Sequence, residues 1–309
     1  MLDVLATGYP SIDHILAASR LPKVGETALL DAVIDESAAT FGGCGANVAV
    51  ALARLGHPVG LAMVLGSDAA GDRYCRYLEG HHIDCRNILQ LAGENSSSSY
   101  IFRSPDGEYQ NFFFPGAADA WHGDLTLTGL DAVRFGLITV GTLHYNTAFL
   151  EQLIAHRIPI IWQLKPDIAA YPPTALERFV RHSRVLFCNN IEAQYLCDAL
   201  HFEHVREVLT MGPELIVLTL GAQGSRVITA DEEDGIIAIP VEKVVDSTGA
   251  GDAYTAGFLA GYLKNLPLRQ CANLGTVVSS FVLEKVGCQT NLPDWEAVQS
   301  RYQTYFESL

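Results

Sequence analysis

A glycine-rich segment that leads into an apolar helical run is the part of the sequence best suited to chemistry. Residues 245–252 read Val-Asp-Ser-Thr-Gly-Ala-Gly-Asp, and the apolar run 253–263 follows at once. We therefore expect Gly249, Ala250 and Gly251 to lie at a helix N-terminus. Unpartnered backbone N–H groups and the positive end of the helix dipole bind anions there. Asp252, in the first turn, would be placed to take a proton from a hydroxyl held beside that anion.

Taken alone, this segment leaves two interpretations open. Acidic residues are common in a first helical turn because they interact favourably with the helix dipole, so Asp252 could be purely structural. As a general base it would contribute roughly 10²–10⁴ in rate, with positioning and electrostatics supplying the rest of a phosphoryl transfer. Other motifs must decide between the two.

A second motif bears on the choice between a structural and a catalytic role for Asp252. Residues 41–56 read Phe-Gly-Gly-Cys-Gly-Ala-Asn and continue as a helical pattern that ends at Gly56. This stretch resembles the N-terminal glycine pair and helix of the ribokinase-like (PfkB) family of sugar and nucleoside kinases. The segment 246–258 is similar to the signature of the same family. The resemblance extends over essentially the whole chain, in the family's order.

The resemblance implies a role for each matching position. Asp252 would be the base, and Gly249, Ala250 and Gly251 would form the anion hole. The positions that would hold the acceptor's hydroxyls are Asp13, Gly42, Gly43 and Asn47. Carboxylate and amide side chains do discriminate hydroxyl-bearing substrates. Without the resemblance, Asp13 would be interpreted as a solvated loop acid and Asn47 as a helix-start residue.

The family's second substrate, ATP with Mg²⁺, is implied by weaker motifs. The residues expected near the nucleotide are Asn189, Glu192, Thr219, Gly221, Gly224 and Asn273, with Glu192 acting on Mg²⁺ through water. Each has a plainer explanation: a helix start, a hairpin turn, or a solvent-facing amide. Asp246 and Thr248 match the place where many members bind K⁺ or Na⁺.

The acceptor is only partly indicated. Many sugar kinases of the family carry Asp-x-Asn-x-Arg where residues 160–166 read Ile-Ile-Trp-Gln-Leu-Lys-Pro, so the acid is missing and Lys165 stands for Arg. Lys offers a point charge rather than a planar fork. Residues 113–117 and 280–289 look like the nucleoside-kinase branch. A nucleoside or ribose-type acceptor is slightly favoured.

The surrounding pattern predicts an α/β fold with a three-layer, Rossmann-like, mostly parallel sheet. Short β-rich runs alternate with helical patterns from residue 3 onward, which is typical of βαβ units. Two segments break the rhythm, approximately 11–40 and 96–116, and the second contains a hairpin pattern with Pro-Asp-Gly at its turn. We expect one ribokinase-like domain over 1–309, with these segments forming a small β-sheet lid that contributes to a homodimer.

Composition excludes several classes. The net charge of −15, from 35 acidic and 20 basic residues, argues against nucleic acid as a partner. No apolar stretch is long enough for a membrane span, and seven scattered cysteines favour a cytoplasmic protein with reduced thiols. Walker-type, dinucleotide and zinc motifs are absent. The remaining alternative to a kinase is a non-catalytic sensor of sugars or nucleosides with the same fold.

Overall fold

The computed structural model of the chain describes residues 1–32, 35, 39–165 and 171–306. Two segments named in the sequence analysis include residues outside these ranges. Within the expected lid segment 11–40, positions 33, 34 and 36–38 lie outside the described residues, and so does Pro166 of the segment 160–166.

The described residues contain thirteen strands and nine α-helices. The strands are β1 Leu2–Thr7, β2 Ser11–Ala17, β3 Thr40–Gly42, β4 Val59–Gly66, β5 Asp84–Leu91, β6 Ser98–Arg103, β7 Tyr109–Phe114, β8 Val133–Ile138, β9 Ile160–Gln163, β10 Ser183–Asn189, β11 Leu215–Thr219, β12 Ser225–Ile228 and β13 Glu233–Ile236. The helices are α1 Cys44–Arg54, α2 Ala69–Gly80, α3 Gly116–Ala120, α4 Leu143–Ala155, α5 Pro173–His182, α6 Asn190–Leu200, α7 Ala250–Tyr262, α8 Leu268–Val282 and α9 Trp295–Tyr305.

Nine strands form the central sheet in the order β13-β12-β11-β10-β9-β8-β1-β4-β5. The pairs from β5 to β11 are parallel, whereas β12 and β13 are antiparallel additions at one edge. The carboxyl ends of the parallel strands therefore meet along one side of the sheet, where open α/β sheets bind ligands.

Apolar side chains cover both faces of this sheet. All eight residues of β4 are buried, as expected of a strand enclosed on two sides. Along β1 the side chains alternate: Val4 and Ala6 join the cluster under α1, α7 and α8, and Leu5 joins the cluster under α4, α5 and α6. Helices thus pack on each face, and the three layers are complete.

Helix α7 is enclosed over most of its length. Its residues from Asp252 to Gly261 are all buried, as in helices surrounded by core on every side. Close packing against α8 depends on Gly257, because a Cβ at this position would lie 2.5 Å from the carbonyl oxygen of Leu274. The first turn of α7 is thereby fixed at the carboxyl edge of the sheet.

The smaller sheet has the order β3-β2-β6-β7. Strands β2 and β6 are parallel, and the outer pairs are antiparallel. Strand β7 is exposed along its whole length. Strands β2, β6 and β7 lie within the two segments, 11–40 and 96–116, that break the alternating pattern, and β3 begins at the last residue of the first segment.

The expected fold class is confirmed: a mostly parallel sheet covered on both faces, with a small separate sheet. The hairpin of residues 100–114 is also confirmed as β6, a turn at 104–107 and β7. Strands β5 and β13 had not been expected from the pattern. In the described part of the chain, no helix combines the length and apolarity that crossing a bilayer requires.

Candidate active site

A cavity of about 510 Å³ lies between the small sheet and the carboxyl edge of the central sheet. Residues far apart in sequence line it. Those singled out from the sequence are Asp13, Gly43, Asn47, Thr248, Gly249 and Asp252. The two principal motifs therefore meet at one concave site.

The carboxylate of Asp252 is held by two amide side chains. Asn47 Nδ2, from the first turn of α1, donates to Oδ2 at 2.7 Å, and Gln163 Nε2, from the end of β9, donates to Oδ1 at 2.6 Å. Asp252 is 6% exposed. Burial raises the pKa of Asp252, while the hydrogen bond from Asn47 and the positive charge of Lys165 oppose the rise. Asp252 is therefore a buried acid with a raised pKa, and it is fixed in the first turn of α7.

A hydrogen-bonded chain supports this carboxylate from behind. Gln289 Nε2 donates to Asn47 Oδ1 at 2.8 Å, and the hydroxyl of Tyr77 on α2 donates to Gln289 Oε1 at 2.6 Å. Asn47 therefore has both ends of its amide engaged, and its orientation is set by protein groups on either side.

Lys165 brings a positive charge to the same cavity. Its Nζ lies 3.8 Å from the sulfur of Cys44. The nearby Cys44 and Asp252 side chains raise the pKa of the Lys165 ammonium, and the group stays protonated. Burial raises the pKa of the Cys44 thiol to about 12, so Cys44 is not a nucleophile near neutral pH.

The start of α7 has the features of an anion site. Gly249, the residue before the helix, has φ +77° and no side chain caps the N-terminus. Among the described residues, the N–H groups of Gly251 and Asp252 have no backbone acceptor. A Cβ on Gly251 would meet no atom within 4 Å, whereas one on Gly249 would lie 2.7 Å from Cys288 Cβ. Free N–H groups beside open space are what an anion needs.

The opposite end of the cavity is built around Asp13 on β2. Ser11 donates to Asp13 Oδ1, and Ser99 lies 2.9 Å from the Ser11 hydroxyl. Burial raises the pKa of Asp13. A Cβ on Gly42 would lie 2.3 Å from Asp13 Oδ2, and one on Gly43 would lie 2.2 Å from the carbonyl oxygen of Tyr9. These two glycines are needed for the carboxylate and the chain to approach so closely.

An apolar wall completes the cavity. Phe113 of β7 packs edge-on against Tyr9 with ring centroids 5.0 Å apart, and Ile101 and Val140 line the same space. The cavity thus combines polar groups with an aromatic surface.

Of the predicted nucleotide residues, five lie along the same edge of the sheet, namely Asn189, Glu192, Thr219, Gly221 and Gly224, and none of the six lines this cavity. Asn189 and Thr219 are register partners at the ends of β10 and β11. Asn189 caps α6 by accepting from the N–H groups of Ile191 and Glu192, and Glu192 Oε2 accepts from the Asn189 N–H at 2.7 Å. Their side chains form a capping box, so the plainer explanation of this motif holds locally.

The remaining positions have structural roles that can be seen directly. Gly221 and Gly224, with φ +58° and +93°, form the turn between β11 and β12. Asn273 Nδ2 lies 3.3 Å from the hydroxyl of Tyr302 on α9. Their contact with a nucleotide stays a prediction.

Asp246 and Thr248 lie in the loop before α7. The backbone N–H and the hydroxyl of Thr248 donate to Asp246 Oδ1 at 3.0 and 2.8 Å. Arg103, the last residue of β6, lies 3.0 Å from Asp246 Oδ2. No group of three or more His, Cys, Asp or Glu side chains suited to a metal ion occurs among the described residues.

Several site residues were not assigned roles from the sequence. They are Gln163, Lys165, Gln289, Tyr77 and Arg103. Polar residues at the carboxyl end of a parallel strand are a signal that could have found Gln163 and Lys165. The other three reach the site only through tertiary packing, and no local pattern marks them.

Comparison with known proteins agrees with this geometry. Residues 1–295 match the pfkB family carbohydrate kinase domain. The chain is 31% identical over 303 residues to a nucleoside kinase of Methanothermobacter thermautotrophicus, covering 97% of this chain and 95% of that one. The crystal structure of the Methanocaldococcus jannaschii nucleoside kinase, an archaeal member of the ribokinase family, aligns with a TM-score of 0.86 at 28% identity, covering 99% of each chain. The Burkholderia thailandensis nucleoside kinase in complex with inosine aligns with a TM-score of 0.88 at 21% identity, covering 99% of this chain and 97% of that one.

The fold and the site define a kinase of small hydroxyl-bearing molecules, a phosphotransferase with an alcohol group as acceptor. The chain belongs to the pfkB family of carbohydrate kinases, whose members related to it include nucleoside kinases and ribokinases.

The capping carboxylate predicts a pH effect on stability. Burial raises the pKa of Glu192 from its ordinary 4.5 to about 7. Between these values the folded chain binds a proton that the unfolded chain has lost, so the free energy of unfolding falls as the pH rises from about 4.5 to 7. Urea unfolding across this range should show the fall in the wild type and a smaller one in Glu192→Gln. Gln can still accept from the Asn189 N–H, which preserves the cap. Parallel curves for the two proteins would contradict the prediction.

Proposed function

We propose that the chain is an ATP-dependent nucleoside kinase that transfers the γ-phosphoryl group to a primary hydroxyl of the acceptor's sugar. The observation that carries the proposal is the buried Asp252 carboxylate, held by Asn47 and Gln163 beside an uncapped helix N-terminus. Alternatives within the family are free pentoses and hexoses. The comparisons give no support to a catalytically silent sensor.

In this proposal Asp252 is the general base. Each of its oxygens accepts one amide hydrogen bond, and the Cys44 thiol also interacts with the carboxylate, which offers about four lone-pair positions in all. Burial raises the pKa of Asp252 and thereby its affinity for the proton of an attacking hydroxyl. The proton passes from the hydroxyl to the carboxylate as the oxygen–phosphorus bond forms and the bond to the leaving ADP oxygen breaks.

The transferred phosphoryl group would lie at the start of α7. The N–H groups of Gly251 and Asp252 would donate to its oxygens, and Lys165 would add a positive charge from the end of β9. Lys165 has an extended, rotatable stem, which suits contact with an anion that changes position during transfer.

ATP would lie along the strand ends near Asn189, Thr219, Gly221, Gly224 and Asn273. The Mg²⁺ that accompanies ATP supplies neutralisation of phosphate charge and is usually held by those phosphates, waters and one or two carboxylates. Glu192 fits that use. Only Oε2 of its carboxylate is engaged by hydrogen bonds among the described residues, which leaves Oε1 for a bound water.

The acceptor end supports a nucleoside. Asp13 and Asn47 supply the polar groups for sugar hydroxyls, and Gly42 and Gly43 allow the chain to pack closely enough to place them. Phe113 and Ile101 line the same cavity, and a free pentose has no apolar group that would need such a surface. A nucleobase would stack on such a surface. The relative that is 31% identical is a nucleoside kinase, which agrees with this choice.

The small sheet is proposed as a lid that also forms a homodimer. Phe112 and Phe114 on β7 are 61% and 47% exposed, and β7 is an unpaired sheet edge. Exposed aromatic residues on an edge strand are typical of an interface. Sedimentation equilibrium should give the mass of two chains, and the mass of one chain would contradict the proposal.

A cytoplasmic location is proposed from the cysteines. All seven are free thiols, and five of them are buried, which suits a reducing compartment. Cell fractionation is the corresponding test.

The base is tested by ADP release from ATP-Mg²⁺ with a panel of nucleosides, pentoses, hexoses and sugar phosphates. Asp252→Asn should lower kcat by about 10²–10⁴ because the proton acceptor is lost while the side chain's shape remains. The exposed Asp131→Asn is the control and should keep full turnover. Full turnover in Asp252→Asn would remove the base from the proposal. Tight binding of a nucleoside with no turnover in the wild type would favour the sensor.

The acceptor class is tested by removing the aromatic wall. Phe113→Ala should lower kcat/KM for nucleosides by about tenfold or more, since a base stacked on an aromatic ring gains about 1–3 kcal/mol, and should leave kcat/KM for ribose unchanged. Phe112→Ala, on the opposite face of β7, is the matched control. The ratio of the two acceptors is the readout. An equal loss for both acceptors would show that Phe113 has no contact with a base.

A further inference from the structure

The loop before the anion hole carries a buried carboxylate whose partners are all protein groups. Asp246 Oδ1 accepts from the N–H and the hydroxyl of Thr248, and Oδ2 accepts from the Gly287 N–H at 3.0 Å. Arg103 Nη1 lies 3.0 Å from the same Oδ2. A carboxylate offers about four lone-pair positions. Three of them are filled by hydrogen bonds, and the Arg103 guanidinium lies beside Oδ2 as the ion-pair partner of the carboxylate.

The guanidinium of Arg103 also occupies a backbone oxygen of this loop. Its Nη2 donates to the carbonyl oxygen of Val245 at 2.9 Å. The carbonyl oxygen of Leu283 accepts hydrogen bonds from the N–H groups of Val245 and Asp246, at 2.8 and 3.4 Å. K⁺ or Na⁺ needs several oxygens to replace its hydration shell. Here the Asp246 carboxylate and the carbonyl oxygens of Val245 and Leu283 already accept hydrogen bonds.

Charge leads to the same conclusion. The side chains of Arg103 and Asp246 are 15% and 6% exposed. A buried carboxylate requires a partner of opposite charge, and the planar guanidinium meets both Asp246 and the Val245 carbonyl from one position. A second cation would have to approach the guanidinium closely with no unpaired anion to offset the repulsion.

We infer that Arg103 takes the place of the monovalent cation expected at Asp246 and Thr248, and that the enzyme therefore works without K⁺ or Na⁺. Asp246 and Thr248, with Arg103 beside them, do not fit the monovalent cation that the family resemblance implies. The activity part of this inference rests on the proposed kinase function; the binding part does not.

Arg103 acts here as a positioning residue. Asp246 fixes Thr248, which precedes Gly249, and fixes Gly287, which precedes Cys288. Cys288 packs against Gly249 at the start of α7. A neutralised Asp246 thus holds both chain segments on which the anion hole is built. Because Arg103 belongs to β6, the small sheet supplies the positive charge that neutralises Asp246.

The test compares KCl, NaCl and choline chloride at equal ionic strength, which keeps general screening constant. In the wild type, kcat/KM should agree within about twofold among the three salts, and Tm should not respond to the identity of the cation. In Arg103→Ala, kcat/KM in choline chloride should fall by about tenfold or more, because Asp246 is left buried and unpaired. K⁺ or added guanidinium should then restore activity and raise Tm, since either binds only the folded chain.

Two further variants separate this role from general stabilisation. Arg103→Lys keeps a charge beside Asp246 and should show no response to K⁺. Arg134→Ala is a matched control, because Arg134 lies 2.7 Å from Asp3 Oδ1 and donates to the Leu263 carbonyl at 3.1 Å, away from the cavity. Its loss should lower Tm equally in all three salts.

The outcomes are distinct. A wild type whose Tm or turnover rises specifically with K⁺ overturns the inference, and so does an Arg103→Ala protein with no response to cation identity. Failure of the wild type to turn over any acceptor would count against the proposed function instead, and the Tm comparison would still decide the role of Arg103.

Discussion

A buried carboxylate at the start of a helix is the constraint on which the rest of the site depends. Asp252 cannot be enclosed without hydrogen-bond donors, because an unpartnered buried charge is among the costliest features of a folded chain. Asn47 and Gln163 supply those donors from α1 and β9. Three elements separated widely in sequence must therefore converge, and the order of the central sheet is what allows it.

The need to bring Asn47 to Asp252 also explains why particular residues are required just before α1. Helix α1 can begin beside Asp252 only if the chain turns sharply after β3, and Gly43 does so with φ +98°. The hydroxyl of Tyr74 on α2 donates to the carbonyl of Gly42 and secures that turn. Gly42 in turn leaves space for Asp13. Asp13 and Asp252 are thus joined through one short segment of the chain, residues 42–47.

How much the sequence predicts depends on whether a feature is local. The start of α7 after Gly249, the helix itself and the hairpin of β6 and β7 follow from short patterns, because glycine positions and helix starts are decided by neighbouring residues. Strand β5 was not anticipated: it is an edge strand of mixed burial without clear alternation. Gln289, Tyr77 and Arg103 could not be assigned roles, since their partners are distant in sequence and only packing brings them together. The roles of the predicted nucleotide residues stay predictions, and the local geometry shows that a capping box alone accounts for Asn189 and Glu192.

The direction of the hydrogen bonds behind Asp252 follows from chemistry rather than from atom placement. An ionised carboxylate only accepts, so the Asn47 amide must turn its NH₂ group toward Asp252 and its oxygen toward Gln289. Gln289 must then donate to Asn47, which leaves its own oxygen to accept from the hydroxyl of Tyr77. Every donor in this chain points toward the carboxylate, so the aligned dipoles favour its ionised form and oppose the effect of burial on its pKa.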